Sequence, residues 1–115
     1  MAVMNYIQAI TKAIEEEMQR DQKVFIFGQD VGKKGGVFKA TEGLYEKFGE
    51  ERVFDAPLAE SAITGVGIGA AMYGMRPIAE IQFADFILPA VNQIISEAAK
   101  IRYRSNNDWS CPITI

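Results

Sequence analysis

With 115 residues, 49% of them hydrophobic, the chain has the size of one small domain, or a piece of one, and enough apolar side chains for a single core. Its 12 basic and 15 acidic residues are intermixed and leave a net charge of −3, which argues against a partner whose phosphates need neutralising, so nucleic acid is not expected. Cys111 is the one cysteine and there is no histidine, which excludes an intrachain disulfide, a His-based catalytic triad and a His metal site within the chain.

The first residues run straight into an amphipathic pattern without the composition of a signal or transit segment, so a cytoplasmic location is expected. Every apolar stretch is interrupted by charge except Ser61 to Met75, which is short and Gly-rich and falls below the ~20 residues that cross a bilayer, so no membrane span is expected.

Ile7, Ile10, Ile14 and Met18 recur at helical spacing and predict an amphipathic helix that ends near Asp21. Val24-Phe25-Ile26-Phe27, closed by Gly28, has the pattern of a strand buried on both faces. Gln29 to Ala40 carries Gly32, Gly35 and Gly36 and reads as a loop. A short helix over Leu44 to Phe48 stops at Gly49, and Arg52-Val53-Phe54 follows as a short strand. Asp55 and Pro57 are start signals for a helix through Ile63, Val66, Ile68 and Met72 that ends at Gly74. Arg76 to Ile81 is a third strand, entered at its edge by Pro77. Asp85 can cap one long helix with Ile87, Ala90, Val91, Ile94, Ala98 and Ile101 as its stripe and Pro89 near its first turn. Pro112 to Ile115 begins another strand. Alternating strands and helices predict an α/β fold with a mostly parallel sheet flanked by helices, and a chain that stops as a strand starts is expected to be part of a larger domain.

Gly65-Val66-Gly67-Ile68-Gly69-Ala70 satisfies G-x-G-x-x-A, but a helix-start signal separates it from the preceding strand, so the glycines are expected inside a helix rather than in a dinucleotide turn. Gly65 and Gly69 share a face, and a closely approaching neighbour on that face would compensate the ~1 kcal/mol that each costs relative to alanine. Glu60 stands at the head of this helix. By spacing alone it is more simply a carboxylate favoured by the helix dipole than a group exchanging a proton or hydrogen bond with a ligand. Phe83 and Phe86 are more simply core than a ligand platform, Cys111 a buried thiol, and Arg102-Tyr103-Arg104 the basic end of a helix.

Taken together, Val24-Phe25-Ile26-Phe27-Gly28-Gln29-Asp30-Val31-Gly32, Gly35-Gly36-Val37-Phe38-Lys39-Ala40-Thr41, Pro57-Leu58-Ala59-Glu60-Ser61, Gly65 to Gly69, Arg76-Pro77-Ile78-Ala79-Glu80 and Gln82-Phe83-Ala84-Asp85-Phe86 resemble the beta subunit of the decarboxylating first component of 2-oxo acid dehydrogenase complexes. Gln82 to Phe86, Asn92 to Lys100 and Arg102-Tyr103-Arg104-Ser105 are more similar to the branched-chain and acetoin enzymes than to the pyruvate enzyme.

The resemblance implies the N-terminal portion of a transketolase-like, thiamine-diphosphate-binding (pyrimidine-binding) domain over residues 1–115, with the C-terminal domain absent. It places the family's catalytic glutamate on Glu60, which reverses the reading from spacing. Glu60 would hydrogen-bond the pyrimidine ring nitrogen and favour the imino form of the cofactor, which takes the proton from the thiazolium carbon. Phe86 would pack on the aminopyrimidine ring, with Gln82 beside it. Ile113 would offer a main-chain carbonyl to a structural monovalent cation such as potassium, while magnesium and the diphosphate belong to an alpha subunit. Implied partners are that alpha subunit, a second beta subunit and the lipoyl acyltransferase core, in an α2β2 enzyme of which this chain alone is inactive. Gln29 departs from the family, which commonly has an acid there. A transketolase-like enzyme and a noncatalytic assembly protein of the same fold are the alternatives.

Overall fold

A computed structural model describes residues 3–115. Helix α1 (Tyr6–Arg20) opens at Asn5, whose side chain accepts the Gln8 amide at 2.8 Å while Gln8 returns the bond to the Asn5 amide at 2.9 Å. This reciprocal cap satisfies two amides that the first turn would otherwise leave open. The apolar stripe of α1 is buried only towards its end: Met18 is fully covered, Ile14 half-buried, and Ile7 and Ile10 exposed. At the other end, the Arg52 guanidinium donates to the carbonyls of Met18, Asp21 and Val24 at 2.6–3.0 Å and lies 5.2 Å from the Phe48 ring. Arg52 was expected in a strand. Its side chain instead caps the last turn of α1, and β2 begins one residue later.

Strands β1 (Val24–Gly28), β2 (Val53–Asp55) and β3 (Arg76–Glu80) form a parallel sheet in the order β2-β1-β3. Side chains alternate across the central strand. Val24 and Ile26 join Met18, Val31, Leu44 and Val53 on the face covered by α1 and the short α2 (Leu44–Phe48). Phe25 and Phe27 join Ile63 and Ala79 under α3 (Glu60–Met72). Every residue of β1 is buried, as its unbroken apolar run requires. Thr114 pairs in parallel with Ile78, donating to Pro77 at 3.0 Å and accepting from Ala79 at 2.8 Å, a single bridge on the other side of β3 from β1. Pro77 costs the sheet no bond to β1, because Arg76 supplies the amide that bonds Lys23 at 2.9 Å.

Three local expectations are corrected. Asp55 does not start α3: the cap position is Ala59, without a side-chain bond, and the Asp55 carboxylate serves Gly32 instead. The close approach expected at Gly65 and Gly69 falls on Gly67, where an added Cβ would stand 2.7 Å from Ile113 Cδ1 and 3.6 Å from Ala79 Cβ. At Gly65 it would meet only Gln93 at 3.7 Å, and at Gly69 nothing within 4 Å.

The third correction concerns the single long helix. Ala84–Ala90 winds as a 3-10 segment with Pro89 inside it, Val91 and Asn92 pass through α geometry, Gln93–Ala98 forms a π-type turn with Ala99 donating to Ile94 at 2.9 Å, and Ile101–Arg104 (α4) returns to α geometry. Asp85 lies inside the first turn, and the cap position is Phe83. Pro89 has no amide to give a continuous helix, and the change from tight to wide turns rotates the stripe, so Ala90 and Ile101 are buried while Ile87, Val91, Ile94 and Ala98 are half-covered. Among the described residues, no helix is long and apolar enough to cross a membrane.

Candidate functional site

The three strands end in register at Gly28, Asp55 and Glu80, the edge at which open parallel sheets gather ligands. Gly28 must be glycine, because a Cβ there would stand 2.7 Å from the Glu80 carbonyl and 2.9 Å from Glu80 Cβ. From this edge the loop 29–42 folds back through left-handed residues Asp30 (φ 59), Gly35 (φ 76), Gly36 (φ 78) and Lys39 (φ 61). Asp55 accepts the Gly32 amide at 2.7 Å, the buried Thr41 hydroxyl donates to Val31 at 2.7 Å, and Thr11 of α1 donates to Ala40 at 2.8 Å. Glu80 lies on the other side of the loop: its Oε1 is 3.4 Å from where a Gly36 Cβ would stand, and its buried Oε2 has no hydrogen-bond partner among the described residues. Burial pushes the Glu80 carboxyl above its ordinary value, and the negative charge of Asp30 pushes it further. Asp30 itself is paired with Lys34 at 3.0 Å.

The loop delivers Phe38 to Phe83, edge to face at 5.5 Å, and Phe83 meets Phe86 in the same way at 5.5 Å. These rings are not core: Phe38, Phe83 and Phe86 are 53%, 42% and 44% exposed, a contiguous aromatic surface. Gln82 anchors the approach to it by donating to the Gln29 carbonyl at 3.0 Å, so position 29 contributes its main chain here whatever its side chain. Glu60 is the first residue of α3, half-buried, and no described residue bonds its carboxylate. The next residue, Ser61, donates its hydroxyl to the Pro89 carbonyl, tying the head of α3 to the segment that carries Phe86.

The structure thus brings Glu60, Gln82 and Phe86 to one end of the molecule. Ile113 stands apart. Its side chain packs on Gly67, seven residues and ~10 Å further along α3, within the apolar layer between α3 and β3. Among the described residues no group of three or more His, Cys, Asp or Glu side chains is gathered to hold a metal ion. Cys111 is half-buried, and burial raises its thiol above the ordinary value, which leaves it the weaker nucleophile. In the sequence, Asp55 and Glu80 read only as a helix-start signal and a strand residue. The signal that could have revealed them is an acid at the carboxyl end of a buried parallel strand, where no core packing explains it.

Residues 2–115 match the family described as transketolase, pyrimidine binding domain. Over its whole length the chain is 80% identical to 2-oxoisovalerate dehydrogenase subunit beta of Bacillus subtilis (strain 168), of which it covers 35%. It is 54% identical over 97% of its length to the protein of the same name from Pseudomonas aeruginosa, covering 32% of it. It is 50% identical over its whole length to pyruvate dehydrogenase E1 component subunit beta of Bacillus subtilis, again covering 35%. The chain therefore spans about a third of the length of these curated relatives. It belongs to the transketolase pyrimidine-binding domain family.

Proposed function

We propose that this chain is the pyrimidine-binding portion of the beta subunit of a thiamine-diphosphate-dependent 2-oxo acid dehydrogenase, acting on branched-chain 2-oxo acids and reductively acylating a lipoyl group. The observation that carries the reading is the half-buried Glu60 carboxylate, which has no partner among the described residues and heads a helix tied through Ser61 to an exposed aromatic surface. An acceptor beside a ring platform suits a flat heteroaromatic ring that offers one hydrogen bond at its edge. Substrate class is supported by the contrast within one organism: 80% identity to the 2-oxoisovalerate subunit of Bacillus subtilis against 50% to its pyruvate counterpart.

Bound thiamine diphosphate supplies the carbon nucleophile for the decarboxylation. The part of this chain is to orient and to polarise. Phe86 would pack against the pyrimidine ring with Gln82 at its side, and Glu60 would hold a proton at the ring nitrogen. With no Gly-Asp-Gly motif in its sequence, the chain leaves the diphosphate and magnesium to an alpha subunit. A second beta subunit and the lipoyl acyltransferase core complete the assembly, and the Ile113 carbonyl would be one ligand of a structural potassium ion. Full-length subunit co-purified with its alpha subunit tests the reading. Decarboxylation of 2-oxoisovalerate with a higher kcat/KM than for pyruvate is expected, and a preference for pyruvate or no turnover of either would overturn it.

A further inference from the structure

Glu80 has no part in the chemistry above, yet it is half-buried on the sheet edge between Gly28 and the loop. One carboxylate oxygen is buried without a donor, and the other faces the left-handed Gly36 of the loop. The charged groups around it do not compensate an ionised form. Asp30 contributes negative charge, Lys34 is engaged by Asp30, Lys33 lies over the Tyr45 ring at 5.7 Å, and Asp55, two strands away beyond Gly28, is another acid. A charged oxygen shut away from both water and donors is unfavourable, whereas a neutral carboxyl is tolerated.

We propose that Glu80 is a positioning residue: as the neutral acid it seats the glycine-rich loop 29–42 on the strand ends, and its ionisation unseats the loop. The seated loop keeps its internal bonds, the Gly36 amide on the Asp30 carbonyl at 2.8 Å and the Thr41 amide on Gly35 at 3.2 Å, meets the strand ends through the Gly32 amide on Asp55 at 2.7 Å, and carries Phe38 to Phe83. The state of Glu80 is thereby read out at the aromatic surface. Because burial and Asp30 both raise its pKa, the seated loop binds the proton more tightly than the unseated one. Seating is complete below the ordinary value of 4.5 and is lost as pH rises through the higher value of the seated state.

Amide hydrogen exchange at Gly36 and Thr41 in the full chain, corrected for intrinsic rates, measures this directly without any ligand, so its failure leaves the cofactor reading untouched. Protection is expected to fall from mildly acidic to mildly alkaline pH, about tenfold for each pKa unit by which the seated state is raised. Glu80→Gln, the neutral isostere, should fold and keep the loop protected throughout. Asp30→Asn, which suits the left-handed backbone at that position, should move the midpoint to lower pH. Protection that does not change with pH in the unaltered chain, a pH dependence that survives Glu80→Gln, failure of Glu80→Gln to fold, or an unmoved midpoint in Asp30→Asn would each overturn the proposal.

Discussion

The Ser61 hydroxyl donates to the Pro89 carbonyl, so the helix headed by Glu60 and the segment carrying Phe86 are joined by a bond whose donor follows Glu60 directly and whose acceptor lies three residues after Phe86. Ser61→Ala removes this tie at a cost of about 0.5–1.5 kcal/mol in stability. Its larger effect should fall on ligand geometry, because Glu60 and Phe86 are no longer fixed relative to each other. In the assembled enzyme kcat is expected to fall more than the melting temperature suggests, and a paired calorimetric and kinetic measurement checks it. Unchanged turnover would mean that the tie is only structural.

The glycines of α3 make a two-part prediction. Gly69→Ala meets nothing within 4 Å and should stabilise the chain by about 1 kcal/mol through helix propensity alone. Gly67→Ala gains the same propensity but drives a methyl to 2.7 Å from Ile113 Cδ1, so the end of the Ile113 side chain must shift, which offsets part or all of that gain. Denaturant unfolding should therefore rank Gly69→Ala above Gly67→Ala. The reverse order would place the tight contact elsewhere.

Arg52 should be unusually intolerant for a half-buried cation. Its guanidinium serves three main-chain carbonyls at once, a fork that lysine cannot reproduce. Arg52→Lys is expected to cost about 1–3 kcal/mol, with α1 losing its last turn first, and exchange protection at Asp21 together with the unfolding midpoint would measure it.

Much of this fold was legible because its strongest signals are local. The four apolar residues from Val24 had to be buried on both faces, and they form the centre of a parallel sheet. Other features depended on partners distant in sequence. Nothing near Asp55 indicates that its carboxylate is bound by Gly32, and nothing near Gly67 indicates that Ile113 covers it. The region from Ala84 to Arg104 shows the limit of periodicity: its apolar spacing fits one helix, but Pro89 withholds an amide and the chain passes between 3-10, α and π winding. At the site, Glu60, Gln82 and Phe86 were placed by matching motifs residue by residue. Spacing alone assigns Phe86 to the core, because exposure of a ring beside a loop folded back from another strand is a tertiary property.

Phe86 should act through its ring and not through its volume in the core. Phe86→Tyr retains the stacking face and should leave thiamine diphosphate affinity within a few-fold, while Phe86→Ala should weaken it by about 2- to 12-fold, the equivalent of ~0.5–1.5 kcal/mol. Both variants should melt close to the parent, since Phe86 is 44% exposed. Titration of cofactor into the assembled apoenzyme separates this outcome from a core role, in which Phe86→Ala would lose stability first.

The most direct test of the account is proton exchange at the thiazolium carbon in assembled Glu60→Gln enzyme. Glutamine keeps the size of the side chain but cannot act as the carboxylate that holds a proton at the pyrimidine nitrogen. Loss of general acid–base assistance should slow exchange and kcat by at least ~100-fold, or ~2.7 kcal/mol of barrier. Stability should change by only ~0.3–1 kcal/mol, the worth of one carboxylate at a helix N-terminus. Exchange at the parent rate in a folded, assembled Glu60→Gln enzyme would contradict the assignment of Glu60 as the catalytic group.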